Sequence, residues 1–67
     1  MTTIEPGQVW EVYSRPERRW VRAVVFKMED GHAVLRYEGT LEFVTVDIDD
    51  MRGRPELFRP AIAAENP

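Results

Sequence analysis

The chain contains no cysteine and only one histidine, His32. Without cysteine it can form no disulfide, no thiolate zinc site and no cysteine nucleophile, and one histidine excludes a histidine-rich metal site. His32 also follows a turn glycine, with no nucleophile or orienting acid that spacing would bring beside it. The sequence therefore predicts no metal, no cofactor and no catalytic residue, and we expect a protein that is not an enzyme.

Long hydrophobic runs are missing as well. No segment approaches the ~18 apolar residues of a membrane span. Near the N-terminus, Glu5, Pro6 and Gly7 follow Ile4 at once and leave no room for the apolar part of a signal peptide. These absences predict a cytoplasmic protein that does not associate with membranes.

At 67 residues the chain can hold one domain. Domains of this size bury a small hydrophobic core and are only marginally stable. We predict a single domain over residues 1–60 and a flexible tail over residues 61–67. The core must come from the valines between positions 9 and 46 and from the aromatic residues, alone or with help from a second chain. The aromatic residues are Trp10, Tyr13, Trp20, Phe26, Tyr37, Phe43 and Phe58.

Runs rich in β-branched and aromatic residues predict a chain of short antiparallel strands. The Asp30-Gly31 pair indicates a tight hairpin turn, because glycine accepts the positive φ that such a turn needs. Asp47, Asp49 and Asp50 favour the start of a helical turn rather than a cation site. The predicted elements are strands at 8–13, 19–28, 32–38 and 41–46, a helical turn near 47–52, and a short edge strand at 57–59.

The predicted second strand is the longest, and it carries apolar residues on both faces. Val21, Ala23 and Val25 share one face, and Trp20, Val24 and Phe26 share the other. A helix is the competing interpretation, disfavoured by the valines and by the lack of a capping residue before the run. A long strand that bends predicts an all-β fold, a small SH3-like barrel of four to five antiparallel strands.

The motifs over residues 7–52 resemble the Tudor branch of the SH3-like barrels. The similarity lies in Gly7 before Val9-Trp10, in the run from Trp20 to Val25, in residues 34–39 followed by 41–44, and in the turn at 47–51. Tudor domains commonly hold methylated lysine or arginine in an aromatic cage. The resemblance implies Tyr37 as a cage residue, with Tyr13 and Trp20 as companions. Here Glu38-Gly39-Thr40 replaces the family's Tyr-Gly-Asn-like turn.

Arginines cluster beside an aromatic residue in the first predicted loop and the start of the second strand. Arg15, Arg18, Arg19 and Arg22 surround Trp20, an arrangement that could bind phosphates and stack on a base. The opposing interpretation is a solvated loop that pairs with the acidic stretch at 29–50, favoured by the net charge of −3. Both interpretations remain open at this level.

Three hypotheses for function follow. The leading one is a non-enzymatic module that binds a protein or peptide through the first loop, the turn after the third strand and the aromatic residues between them. A nucleic-acid-binding protein that uses the arginines is the alternative, and a self-associating structural subunit that forms a homodimer is the second alternative. The predicted partner-binding residues are Tyr13, Arg15, Arg18, Arg19, Trp20, Arg22 and Tyr37.

Overall fold

A five-stranded antiparallel sheet and one short helix make up residues 3–61, which are the residues that the computed structural model describes. The spatial order of the strands is β4-β3-β2-β1-β5. This architecture confirms the predicted all-β fold with one helical turn. The elements are β1 (Val9–Ser14), β2 (Arg19–Glu29), β3 (His32–Tyr37), β4 (Phe43–Asp47), α1 (Ile48–Gly53) and β5 (Phe58–Pro60).

The tight turn between β2 and β3 forms where the Asp-Gly pair predicts it. Asp30 has φ 47° and Gly31 has φ 81°, so both residues lie in the left-handed region that two-residue hairpin loops of type I′ require. The flanking residues Glu29 and His32 are paired across the hairpin. The turn therefore sets the register of the two central strands.

A β-bulge at Phe26 lets β2 contribute to the core on both sides of it, while Trp20, Val24 and Phe26 stay on the outer face. Val25 pairs with Leu35 and Lys27 pairs with Val34, so Phe26 has no partner on β3. Because the bulge inserts one residue, the inward-facing positions shift from Ala23 and Val25 before it to Met28 after it. The run is extended throughout, as predicted, and the helical interpretation is excluded.

The core lies between one face of the sheet and α1. Trp10, Leu35 and Met51 are nearly or completely buried, and Met51 reaches the core from α1. The expectation that all the aromatic residues form the core is wrong for four of them. Phe26 and Phe43 are 57% and 50% exposed. Tyr13 and Trp20 are half-buried but do not belong to the core or pack against it. The buried residues are Ile4, Trp10, Ala23, Val25, Ala33, Leu35 and Met51.

Helix α1 sits next to both edges of the sheet. It contacts β4 and β5, and no pairing between those two edge strands occurs within residues 3–61. Closure of the sheet into a barrel therefore stays a prediction. Asp47 caps the helix, because its Oδ1 accepts a hydrogen bond from the Asp49 backbone N–H at 2.9 Å.

The predicted strand boundaries hold to within one residue except at β4, which begins at Phe43 instead of Leu41. The Glu42 backbone N–H donates to Thr40 Oγ1 at 3.0 Å, so the chain here is still part of the turn. The predicted tail at 61–67 lies outside the described residues apart from Ala61, whose N–H donates to the Val9 carbonyl oxygen at 3.1 Å. Within the described part, no helix has the length and apolar character to cross a membrane.

Two leucines provide a direct test of this core. Leu35 is completely buried, whereas Leu41 is 84% exposed. We expect Leu35→Ala to lower the free energy of unfolding by about 2–5 kcal/mol and Leu41→Ala to change it by less than about 0.5 kcal/mol. Urea unfolding followed by circular dichroism measures both values. Equal losses in the two variants would contradict the assignment of the inner face.

The hairpin turn gives a second test, with a matched glycine as its control. Gly31 has φ 81°, while Gly53 at the end of α1 has no positive φ, and neither position has an atom that an added Cβ would meet. We expect Gly31→Ala to cost about 1–2 kcal/mol of unfolding free energy, because a Cβ is strained in the left-handed region. Gly53→Ala should be neutral or slightly stabilising. Thermal unfolding compares the two, and equal costs would contradict the turn geometry.

Candidate functional site

A groove opens at the end of the sheet where the β1–β2 loop faces the turn between β3 and β4. Its volume is about 610 Å³, within the range of roughly 300–1,000 Å³ that ligand pockets span. Residues from the loop, from the turn and from the start of β5 line it. The fold thus brings together the first loop and the turn after the third strand, the two segments that the leading hypothesis combines.

The floor of the groove is apolar and continuous with the core. Strand alternation places Val12 and Val21 on the same face of the sheet as the buried Trp10 and Ala23. Since packing of the core fixes their backbone, these side chains offer a preformed apolar surface rather than a mobile one. The half-buried floor residues are Val12, Val21, Tyr37, Leu57 and Phe58.

The loop that forms one lip is held by its own hydrogen bonds. The Arg18 N–H donates to the Arg15 carbonyl oxygen at 3.3 Å, and the Glu17 N–H donates to Ser14 Oγ at 3.4 Å. Arg19 Nε lies 2.6 Å from Glu17 Oε1, so this guanidinium already forms an ion pair within the loop. Arg15 makes no ion pair with residues 3–61 and remains the available cation on this lip.

The turn that forms the other lip is organised by Thr40. Its hydroxyl donates to the Tyr37 carbonyl oxygen at 3.1 Å and accepts from the Glu42 N–H at 3.0 Å. Gly39 has φ 80°, which this tight reversal needs. As a result, Glu38 and Glu42 both lie at the groove.

The two lips differ in charge. Glu38 Oε2 lies 3.6 Å from Arg22 Nε, and this guanidinium does not line the groove. Glu42 makes no ion pair within the described part of the chain. The turn lip is therefore acidic, and the loop lip carries Arg15 and Arg19 against Glu17 alone. A bound segment would experience an electrostatic gradient across the groove.

The structure brings four of the seven predicted partner-binding residues to the groove: Tyr13, Arg15, Arg19 and Tyr37. Trp20, Arg22 and Arg18 lie outside its lining. Arg18 is exposed in the loop, at φ 55°. Arg22 Nε is buried without a hydrogen-bond partner in residues 3–61, since Glu38 is just beyond hydrogen-bond reach. The predicted cluster is thus divided between two surfaces.

The division between Trp20 and Tyr37 follows the two faces of the sheet, whereas Tyr13 pairs with Trp20 and also lines the groove. Trp20 is paired with Tyr13 on the outer face, with ring centroids 5.4 Å apart at 69°. The Arg59 guanidinium lies 3.9 Å from the Trp20 ring centroid, and Arg59 Nε lies 2.6 Å from Glu11 Oε1. Because Tyr37 belongs to the inner face, the three aromatic residues do not surround a common centre as a cage would require.

Several functional-looking residues escaped the sequence analysis. Leu57, Phe58 and Glu42 line the groove, and Arg59 covers one side of the Trp20 ring. Alternation along the predicted edge strand could have placed Phe58 and Arg59 on opposite faces, but nothing local indicates which strand they pair with. No group of three or more His, Asp or Glu side chains within residues 3–61 is arranged to hold a metal ion.

The contact between Trp20 and Arg59 can be measured with a double-mutant cycle. We expect Trp20→Leu and Arg59→Gln to show a coupling energy of about 0.5–1 kcal/mol, the range of an exposed cation–π contact. A control cycle pairs Trp20→Leu with Arg52→Gln on α1 and should give no coupling. Urea unfolding by circular dichroism supplies the free energies, and equal coupling in the two cycles would contradict the contact.

Comparison with known proteins adds no relative to this description. No protein-family model, no curated protein and no solved structure matches the chain. The resemblance to Tudor domains accordingly stays a prediction from the sequence, and function has to be argued from the groove and the surface themselves.

Proposed function

We propose that the chain is a small non-enzymatic binding module that holds a short peptide segment of a partner protein in the groove. The observation that carries this proposal is the junction of the β1–β2 loop and the β3–β4 turn over one apolar floor. Grooves of this kind bind ligands through burial of apolar side chains, with a few polar groups that set orientation.

The apolar floor of the groove favours a peptide with one apolar anchor side chain. Val21, Leu57 and Phe58 offer half-buried apolar surface that a single side chain can cover. Burial of one leucine or phenylalanine side chain contributes about 1.5–3 kcal/mol. An apolar anchor residue in the peptide therefore supplies a large share of the affinity expected for a short segment.

The turn lip determines which residue of the peptide is favoured next to the apolar anchor. Glu42 is exposed and makes no ion pair with residues 3–61, and Glu38 shares its charge only with Arg22 at 3.6 Å. A lysine or arginine next to the anchor satisfies this acidic lip, and the net charge of −3 assists its approach. The favoured ligand is thus a peptide with an apolar anchor beside a basic residue.

The nucleic-acid alternative is supported by Arg15 and Arg18, which form no ion pair in the described chain. Two observations count against it. Arg19 and Arg22 already lie near carboxylates, at 2.6 Å and 3.6 Å. Arg59 also covers one side of the Trp20 ring, which reduces the surface on which a base could stack.

Selection from a display library of random short peptides tests the proposal. We expect the enriched peptides to combine an apolar residue with an adjacent lysine or arginine and to shift the amide signals of Tyr37, Thr40 and Leu57. Glu42→Gln should weaken their binding by a factor of about two to five, since one ion pair at an exposed lip is lost. Glu5→Gln removes an equal charge outside the groove and should leave the affinity unchanged.

Three results would contradict the proposal. The first is a library that yields no peptide that the folded chain binds better than a chain unfolded in urea. Equal loss of affinity in Glu5→Gln and Glu42→Gln would show only a general charge effect. Amide shifts confined to residues 14–22 on titration with a single-stranded oligonucleotide, with affinity that falls steeply with salt, would favour the nucleic-acid alternative.

A further inference from the structure

A second surface, on the sheet face opposite the core, exposes large apolar side chains. Leu41, Phe26 and Phe43 are 84%, 57% and 50% exposed. The two phenylalanine rings contact each other, with centroids 5.2 Å apart at 68°. A cluster of exposed apolar residues on so small a chain is typical of an interaction site. We call Val24, Phe26, Arg36, Leu41 and Phe43 the outer patch.

The outer patch surrounds a depression of about 410 Å³, and among residues 3–61 Arg36 is the one charged residue in its lining. Arg36 is half-buried and makes no ion pair or side-chain hydrogen bond with residues 3–61. Its guanidinium nitrogens are not among the buried unpaired atoms of residues 3–61, so they are open to a ligand, and a carboxylate that replaces their water gains charge-assisted hydrogen bonds. The outer patch therefore fits a ligand that brings a carboxylate and apolar groups together.

The pairing register gives this surface a defined spacing. Val24 pairs with Arg36, and Arg36 pairs with Phe43, so an apolar residue, a cation and an apolar residue follow each other across β2, β3 and β4. Neighbouring strands lie ~4.8 Å apart, which places the two apolar positions ~10 Å apart with the cation midway.

A helix laid across the strands matches this spacing better than an added strand does. Helical residues i, i+3 and i+7 rise by about 4.5 Å and 10.5 Å and share one face. Alternate residues of a strand are about 6.6 Å apart, which overshoots the first interval. We propose that the outer patch docks an amphipathic helix of a partner protein, with apolar residues at i and i+7 and a carboxylate at i+3 that pairs with Arg36.

A second copy of the chain fits the outer patch less well. A two-fold axis through the patch would bring the two Arg36 guanidinium groups together, and like charges oppose such a contact. The helix of the described chain, α1, has six residues and is too short to offer positions i and i+7. The outer patch and the groove share no residue in their linings, so this inference stands apart from the proposed function.

A designed helical peptide tests the inference. The probe is an alanine-rich peptide with leucine at i and i+7 and glutamate at i+3, titrated into the isotope-labelled full chain. We expect amide shifts at Val24, Arg36 and Phe43, and affinity that falls about tenfold in Arg36→Glu. Arg18→Glu makes the same charge change outside both cavities and should bind as the wild type does.

Peptide variants separate charge from apolar contact. Replacement of the glutamate by glutamine should weaken binding about as much as Arg36→Glu does, and moving the glutamate to i+5 should do the same. Leu41→Ser should also weaken binding, and thermal unfolding should show that it folds normally because Leu41 is 84% exposed. If Arg36→Glu does not fold, Arg36→Gln replaces it in the comparison.

Each contrary outcome overturns the inference. If the glutamate and glutamine peptides bind equally well, Arg36 does not pair with the peptide carboxylate. Shifts at Tyr37 and Thr40 in place of the outer patch would show that the helix uses the groove. Sedimentation that reveals a dimer of the wild type and a monomer of Leu41→Ser would make a second copy the occupant.

Discussion

The bulge at Phe26 is the constraint on which the rest of the molecule depends. β2 is the central strand, and it must contribute to the core along eleven residues. A regular strand with this sequence would bury Val25 and then turn Met28 outward, whereas the extra residue restores Met28 to the inner face. The Phe26 side chain lies on the outer face, where strand alternation from Val24 already places it, and it meets Phe43 there. One local irregularity thus completes a small core while the residues before it keep their alternation.

Strand alternation separates the two candidate binding surfaces. Tyr37 faces the groove and its neighbour Arg36 lines the outer patch, so consecutive residues of β3 serve opposite faces of the sheet. The groove is fixed by core packing beneath Val12 and Val21, and the outer patch by the register of three strands. Both surfaces are built on strands of the sheet rather than on loops alone. The fold therefore holds their side chains in place before any ligand binds.

Local signals in the sequence predicted more of the fold than of the site. The Asp30-Gly31 pair specifies its turn through backbone sterics alone, and the extended character of β2 follows from its valines. The bulge has no such local signature, because it arises from the pairing of β2 with β3. For the same reason the separation of Trp20 from Tyr37 could not be predicted. The resemblance to Tudor domains places both residues in one aromatic cage. The register between strands, however, decides which face of the sheet each side chain occupies.

The two surfaces differ in the charges that they leave unpaired. The basic and acidic stretches of the chain meet through Arg22 with Glu38 and Lys27 with Glu29, and such exposed pairs contribute little to stability. Within residues 3–61 this pairing leaves Glu42 at the groove and Arg36 in the outer patch without partners. On the two proposals, the acidic turn lip of the groove pairs with a basic ligand residue and Arg36 of the outer patch with an acidic one. Because the linings of the two surfaces share no residue, the two proposed segments do not compete for the same side chains of the chain.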